Sequence, residues 1–149
     1  MEKNQEFTVS IEDMSEDGAG IGKLDGYIWF IKDAVIGDVA VPVHENEEKL
    51  RLCRLMEVLE ASKDRVMPEC PVARQCGGCQ LQMMSYEAQL HFKERKVYNN
   101  LRRIGGMENL RLPEQADSVI VDKTIVMEPI LGMEHPWRYR NKAQFPFGR

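Results

Sequence analysis

Three cysteines fall within ten residues, Cys70-Pro71-Val72-Ala73-Arg74-Gln75-Cys76-Gly77-Gly78-Cys79. The spacing is C-x5-C-x2-C. Short cysteine spacings around glycine and proline let a loop fold back until several thiolates face one centre. Glycine accepts the positive φ such a wrap needs, and it leaves backbone N–H groups free to approach sulfur. The chemistry this pattern suits is metal or iron–sulfur ligation with three protein ligands supplied locally and one missing. His91, twelve residues after Cys79, is a fourth donor for a Cys3His zinc site, which zinc accepts tetrahedrally. A lone histidine is more often an ordinary surface or packing residue. The fourth cysteine, Cys53, sits in the apolar run Leu52-Cys53-Arg54-Leu55-Met56 and reads as a buried core thiol.

The elements around the loop follow from patterning. Of 149 residues, 43% are hydrophobic and 30% charged, the balance of an ordinary soluble domain. No apolar run approaches the roughly 20 residues that span a bilayer. The start, Met1-Glu2-Lys3-Asn4-Gln5-Glu6, is too polar for a signal peptide. A cytoplasmic chain without a membrane association is therefore expected, and in that compartment clustered thiols favour metal over disulfides. The net charge of −4 is unevenly spread. Residues 1–60 carry 6 Lys and Arg against 14 Asp and Glu, a charge of −8, whereas residues 61–149 carry 14 against 10, a charge of +4. Only the second region offers a basic face to an anionic partner.

The first sixty residues read as β. Phe7 to Ile11 alternates, Tyr27 to Ile31 is aromatic and β-branched, and Val39 to Val43 is interrupted by Pro42, which belongs at an edge or a bulge. Leu50 to Leu59 fits either period, and the run of strands before it favours one long bent strand. The spacing predicts a core drawn from Phe7, Val9, Ile11, Ile28, Phe30, Val39, Val41, Leu52 and Leu55. Gly18, Gly20 and Gly22 lack the Lys-Ser or Lys-Thr and the helix of a phosphate loop, so they read as a turn between strands. The fold class predicted is mainly β with one α-helix: a five-stranded OB-like barrel, then a Cys-rich loop, a helix and an incomplete β region.

Ser85 is positioned to cap a helix reaching about Arg103, with Tyr86, Leu90, Val97, Leu101 and Ile104 as its apolar face and Gly105-Gly106 as its stop. Lys93, Lys96, Arg102 and Arg103 decorate the remainder. Residues 111–126 read as a linker into a strand at 118–121. Leu131 to Pro136 is a turn, and Trp137 to Arg149 starts a strand with no partner in sequence, as expected of a chain that stops inside a domain. The segments expected are 1–61, 62–106 and 107–149.

Taken together, these features resemble the N-terminal part of the TRAM-containing RNA (uracil-5-)-methyltransferases, the 23S rRNA enzymes in particular. Glu12 to Gly22, with Gly26 and Phe30, resembles the TRAM opening. Ala34-Val35-Ile36-Gly37-Asp38 stands where that family has a Pro-Gly-Glu turn. Ser62 to Val66 and Cys70 to Gln82 are similar to its iron–sulfur loop, Gln89, Leu90 and Lys93 to the helix after it, and Tyr139-Arg140-Asn141-Lys142 to the start of its central RNA-binding domain. Radical methylthiotransferases also carry TRAM modules, but after the catalytic domain and with a C-x3-C-x2-C cluster loop.

The resemblance implies that Cys70, Cys76 and Cys79 hold three corners of a [4Fe-4S] cluster, with the fourth ligand beyond Arg149. It places the nucleophilic cysteine, the general base and the S-adenosylmethionine site beyond Arg149 too. No residue of this chain is then catalytic, and the chain alone is expected to be inactive. It also implies an RNA partner, ribosomal sooner than transfer RNA; from their charge, Lys93, Lys96, Arg102, Arg103, Arg140 and Lys142 in the basic second region are the expected phosphate contacts, and a monomer is expected. A free-standing RNA-binding module and a small Cys3His zinc protein are the competing readings.

Overall fold

Alternation of buried and exposed residues writes a closed sheet into the first sixty positions. The computed structural model describes residues 4–44, 51–115 and 123–139. Among these, β1 (Val9–Met14), β2 (Gly20–Leu24), β3 (Tyr27–Lys32), β4 (Val39–His44) and β5 (Leu52–Glu60) close into a barrel in the order β1-β2-β3-β5-β4. The β3–β5 pairing is parallel and the others are antiparallel. Closure removes the free sheet edges that invite aggregation. The five-stranded OB-like barrel expected from the sequence is thus present.

Two features set the registers. Asp25 and Gly26, at φ 52° and 77°, make the two-residue turn between β2 and β3. Both central residues of a type I′ turn need positive φ, and Asp-Gly supplies them. Against β5, β4 shifts register between Val41 and Pro42, so the proline sits at a bulge, where a missing N–H does no harm.

The core is built from Val9, Ile11, Trp29, Ile31, Ala34, Ala40, Cys53 and Leu55, with Phe7, Leu24 and Val58 packed around it. Trp29 lies against Phe7, ring centroids 4.7 Å apart, and edge-on to His44 at 5.2 Å. Cys53 is buried, as its apolar surroundings predicted. The expected core needs correction on β3, β4 and β5. Ile28 and Leu52 are 49% and 45% exposed, and Phe30, Val39 and Val41 are only partly covered, while Trp29, Ile31, Ala40 and Cys53 point inward. These strands are apolar on both faces, so alternation alone left the parity open.

The glycine segment also needs correction. Gly20 and Gly22 are not in a turn; they lie in β2 on its inner face. A β-carbon on Gly22 would come within 2.5 Å of Val9 Cγ2, so strands β1 and β2 approach only because that atom is missing. Gly18, at φ +82°, makes the turn before them.

The chain divides into two units, Met1–Gln89 and Leu90–Arg149. The second holds most of α2 (Tyr86–Arg103), a two-stranded parallel pair β6 (Leu110–Arg111) and β7 (Ile125–Val126), and the 3-10 turn Pro113–Gln115. Ser85 caps α2 as expected: its Oγ accepts from the Ala88 N–H at 3.3 Å. Gly106, at φ +66°, ends it. The buried helix position is Tyr98, packed on Leu110 and Leu112, rather than the expected stripe. Val97, Leu101 and Ile104 are 50%, 36% and 81% exposed. The strand expected at 118–121 and residues 140–149 lie outside the described residues, and Trp137 to Tyr139 form no strand. No described helix is long and apolar enough to cross a membrane.

Candidate functional site: the cysteine loop and its seat on the barrel

The loop begins where β5 ends and is closed at its base. Val66 N–H donates to the Met83 carbonyl at 2.9 Å, Arg65 bridges Met84 in antiparallel fashion, and Ser85 N–H donates to the Asp64 carbonyl at 2.8 Å. Met83 and Met84 are buried and anchor the returning limb by apolar burial.

A second anchor is ionic. Asp38, fully buried in the turn before β4, accepts from the Val35 N–H at 2.7 Å and the Ser62 N–H at 2.9 Å. It also takes Arg65, which donates through Nε at 3.0 Å and Nη2 at 2.5 Å, while Nη2 donates further to the Asp33 carbonyl at 2.8 Å. Burial pushes the Asp38 carboxyl up, but the Arg65 hydrogen bonds, those from Ser62 and Val35 and the guanidinium charge outweigh it and hold the pKa below its ordinary value. Arg74 adds a third tie, donating to the Leu55 carbonyl of β5 at 2.8 Å beside Asp33 at 3.7 Å. Sequence reasoning missed this anchoring. A lone Asp in a turn and an Arg in a loop carry no pattern that pairs them across 27 positions.

Within the loop, the short helix α1 (Ala73–Cys76) stops at Gly77 in the left-handed conformation, φ 68°. Cys70 is partly buried, its N–H donating to Gln82 Oε1 at 3.4 Å, and Cys76 and Cys79 are exposed. All three thiols are unpaired. Cys79 opens on a cleft of about 340 Å³ between loop and β5, lined also by Met56, Met67, Met83, Arg65 and Arg74. The donor set suits soft-metal or cluster chemistry, because unpaired thiols can become thiolates. They are not drawn to one centre, however. Among the described residues no three His, Cys, Asp or Glu side chains are grouped to hold a metal ion.

The other expected residues fall in the second unit. Lys93 and Arg103 are exposed on α2 and Lys96 is partly covered. Arg102 donates to the Tyr98 hydroxyl at 3.1 Å and lies 5.8 Å from its ring centroid. His91 is exposed on the same helix. Arg140 and Lys142 lie outside the described residues.

Comparison with known proteins places this geometry. The chain is 43% identical over 98% of its length to an uncharacterized RNA methyltransferase of Halalkalibacterium halodurans. It is 40% identical over 99% to proteins of the same description in Listeria monocytogenes and Bacillus cereus. In each case it spans 29% of the relative's length. A solution structure of a conserved Methanococcus maripaludis protein is 32% identical over 38% of this chain and 81% of its own, but its TM-score of 0.35 does not bear on the fold. Residues 1–45, which hold β1 to β4, match the TRAM domain family, and nearly the whole chain is homologous to proteins named RNA methyltransferases.

Proposed function

We propose that this chain is the RNA-recruiting N-terminal portion of an S-adenosylmethionine-dependent RNA (uracil-5-)-methyltransferase. The observation that carries the reading is homology to RNA methyltransferases along 98% of the chain, with a TRAM barrel leading directly into a loop of three unpaired thiols. Residues 1–61 serve as the barrel, 62–106 as the cysteine loop and helix, and 107–149 as the start of a central RNA-binding domain. The setting is the cytoplasm and the partner is RNA, ribosomal in preference to transfer. Lys93, Lys96, Arg102, Arg103, Arg140 and Lys142 supply phosphate contacts.

Cys70, Cys76 and Cys79 would hold three corners of a [4Fe-4S] cluster, which would supply a rigid cross-link between the limbs of the loop. The chain's own residues prepare that site. Arg65 on Asp38 and Arg74 on Leu55 fix the loop base to the barrel, and Gly77 turns the chain between Cys76 and Cys79. The methyl-transfer chemistry, the S-adenosylmethionine site and the fourth ligand are assigned to the additional length of the relatives.

Purification without oxygen, followed by iron, sulfide and zinc analysis, tests the cluster. A brown protein with substoichiometric iron that bleaches in air is expected, because a three-thiolate site exposes one iron. Stoichiometric zinc without iron would contradict it. Calorimetry with S-adenosylmethionine should show no binding, and micromolar binding would overturn the assignment of chemistry elsewhere.

A further inference from the structure

Among the described residues the three loop thiols do not meet at one centre, but two of them are set up for each other. Cys76 and Cys79 are both exposed and are separated by Gly77 and Gly78 alone. Cys76 closes α1, Gly77 reverses the chain at φ 68°, and the chain bends again at Gly78. A four-residue turn brings its end α-carbons within about 7 Å, and a disulfide spans about 4.4–6.8 Å. The Cys76 sulfur already lies over the turn, since a β-carbon on Gly78 would be 3.4 Å from it. Neither glycine has a β-carbon to resist a backbone adjustment. Cys79 opens on its cleft, and exposed side chains change rotamer on the ps–ns scale, so its thiol is free to swing towards Cys76.

The other two thiols are placed differently. Cys53 is buried in the barrel core, out of reach of an oxidant. Cys70 is partly buried at the far end of the loop, its N–H tied to Gln82, and most of α1 lies between it and Cys76. A positive charge stands beside the pair: a β-carbon on Gly77 would lie 3.9 Å from Lys32 Nζ. An ammonium in that place draws an anionic oxidant to the thiols. Cys76 ends a four-residue helix rather than opening one, so no helix N-terminus activates it for exchange on other proteins. The pair suits a switch within its own loop.

We infer that Cys76 and Cys79 form a reversible disulfide in the metal-free chain, with a small anionic disulfide such as oxidised glutathione as the oxidant, and that this bond withholds the loop's thiols from metal. The inference goes beyond the methyltransferase reading and does not depend on it, since it needs only the two thiols and their turn. One protein thiolate attacks the glutathione S–S bond, forms a mixed disulfide and releases one glutathione thiolate. The second protein thiolate attacks the protein sulfur of that mixed disulfide and releases the other. The two protons lost by the protein thiols pass to the departing thiolates. Two protein thiols are thereby oxidised, and one glutathione disulfide is reduced to two thiols. Excess reduced glutathione runs the exchange backwards.

The whole chain, stripped of metal by a chelator under nitrogen, is equilibrated with glutathione at graded oxidised-to-reduced ratios, quenched by alkylation and digested with trypsin. Cleavage after Arg65, Arg74 and Lys93 puts Cys70 in peptide 66–74 and both Cys76 and Cys79 in peptide 75–93. The expected product is an unalkylated peptide 75–93, lighter than its dithiol form by about 2 Da, with Cys70 alkylated and the dithiol restored by reduced glutathione. Cys70→Ser should leave that product unchanged. Lys32→Met should slow its formation about twofold or more at low salt, and less at high salt. Zinc should bind the oxidised chain about tenfold or more weakly than the reduced chain, because metal ligation needs free thiolates. Peptides 66–74 and 75–93 joined by a disulfide, or glutathione retained on Cys76 and Cys79 with no bond between them, would overturn the pairing. Equal zinc affinity of the two forms would overturn the control of metal uptake.

Discussion

The barrel and the cysteine loop are neighbours in one unit, yet they are held by different physics. The barrel closes all its strand edges and buries Trp29, Ile31, Ala34, Val35 and Ala40 almost completely. The loop buries Met83 and Met84 at its base and leaves Cys76 and Cys79 exposed, tied down by Asp38, Arg65 and Arg74. Apolar burial fixes the barrel without outside help. A few polar anchors fix the loop's base, while its tip, with Cys76 and Cys79, stays exposed.

The comparison breaks most directly at Asp38. Replacing it with alanine leaves Arg65 without its carboxylate and removes the acceptor for the Val35 and Ser62 N–H groups. Breaking a buried pair from one side costs about 3–5 kcal/mol, so urea unfolding of Asp38→Ala should show a loss of that order. The same carboxylate sets a pH dependence. Its folded pKa lies below the ordinary 3.8, so its contribution is complete above that value and is lost as pH falls through the folded pKa. Wild-type stability should drop more steeply below about pH 4 than that of the alanine variant.

A smaller effect is expected inside the barrel. Gly22→Ala introduces a β-carbon 2.5 Å from Val9 Cγ2. Overpacking of this kind costs about 1–3 kcal/mol, which denaturant unfolding will read as a lower midpoint. The smallest effect is predicted at the loop tip. Cys79→Ser changes an exposed side chain and should leave the far-UV circular dichroism and the melting of the metal-free barrel unchanged, within about 0.5 kcal/mol. Global unfolding of that variant would merge the two regions into one.

What the sequence revealed divides along the same line. The strands β1, β3, β4 and β5, the Pro42 bulge, the buried Cys53 and the Ser85 cap were readable because each follows from a local rule. The parity of β3 and β5 was not, because Tyr27 to Ile31 and Leu52 to Met56 offer apolar residues to both faces. That ambiguity is informative, since the second apolar face is the one left exposed. Gly20 and Gly22 read as a turn because glycine punctuates loops more often than it permits close strand packing. The Asp25-Gly26 turn, by contrast, is a local signal, since Asp-Gly suits a two-residue hairpin loop. The cysteine spacing marked the loop, but Asp38 and Arg65, which seat it, are 27 residues apart and meet only in three dimensions.

Hydrogen exchange of the whole chain, before and after anaerobic reconstitution with iron and sulfide, measures both regions at once. The account predicts that amides of residues 67–82 gain protection on reconstitution while those of β1 to β5 stay as they were. Failure of the loop to change, or a barrel that becomes protected only when the cluster forms, would contradict the separation of a self-sufficient barrel from a ligand-ordered loop.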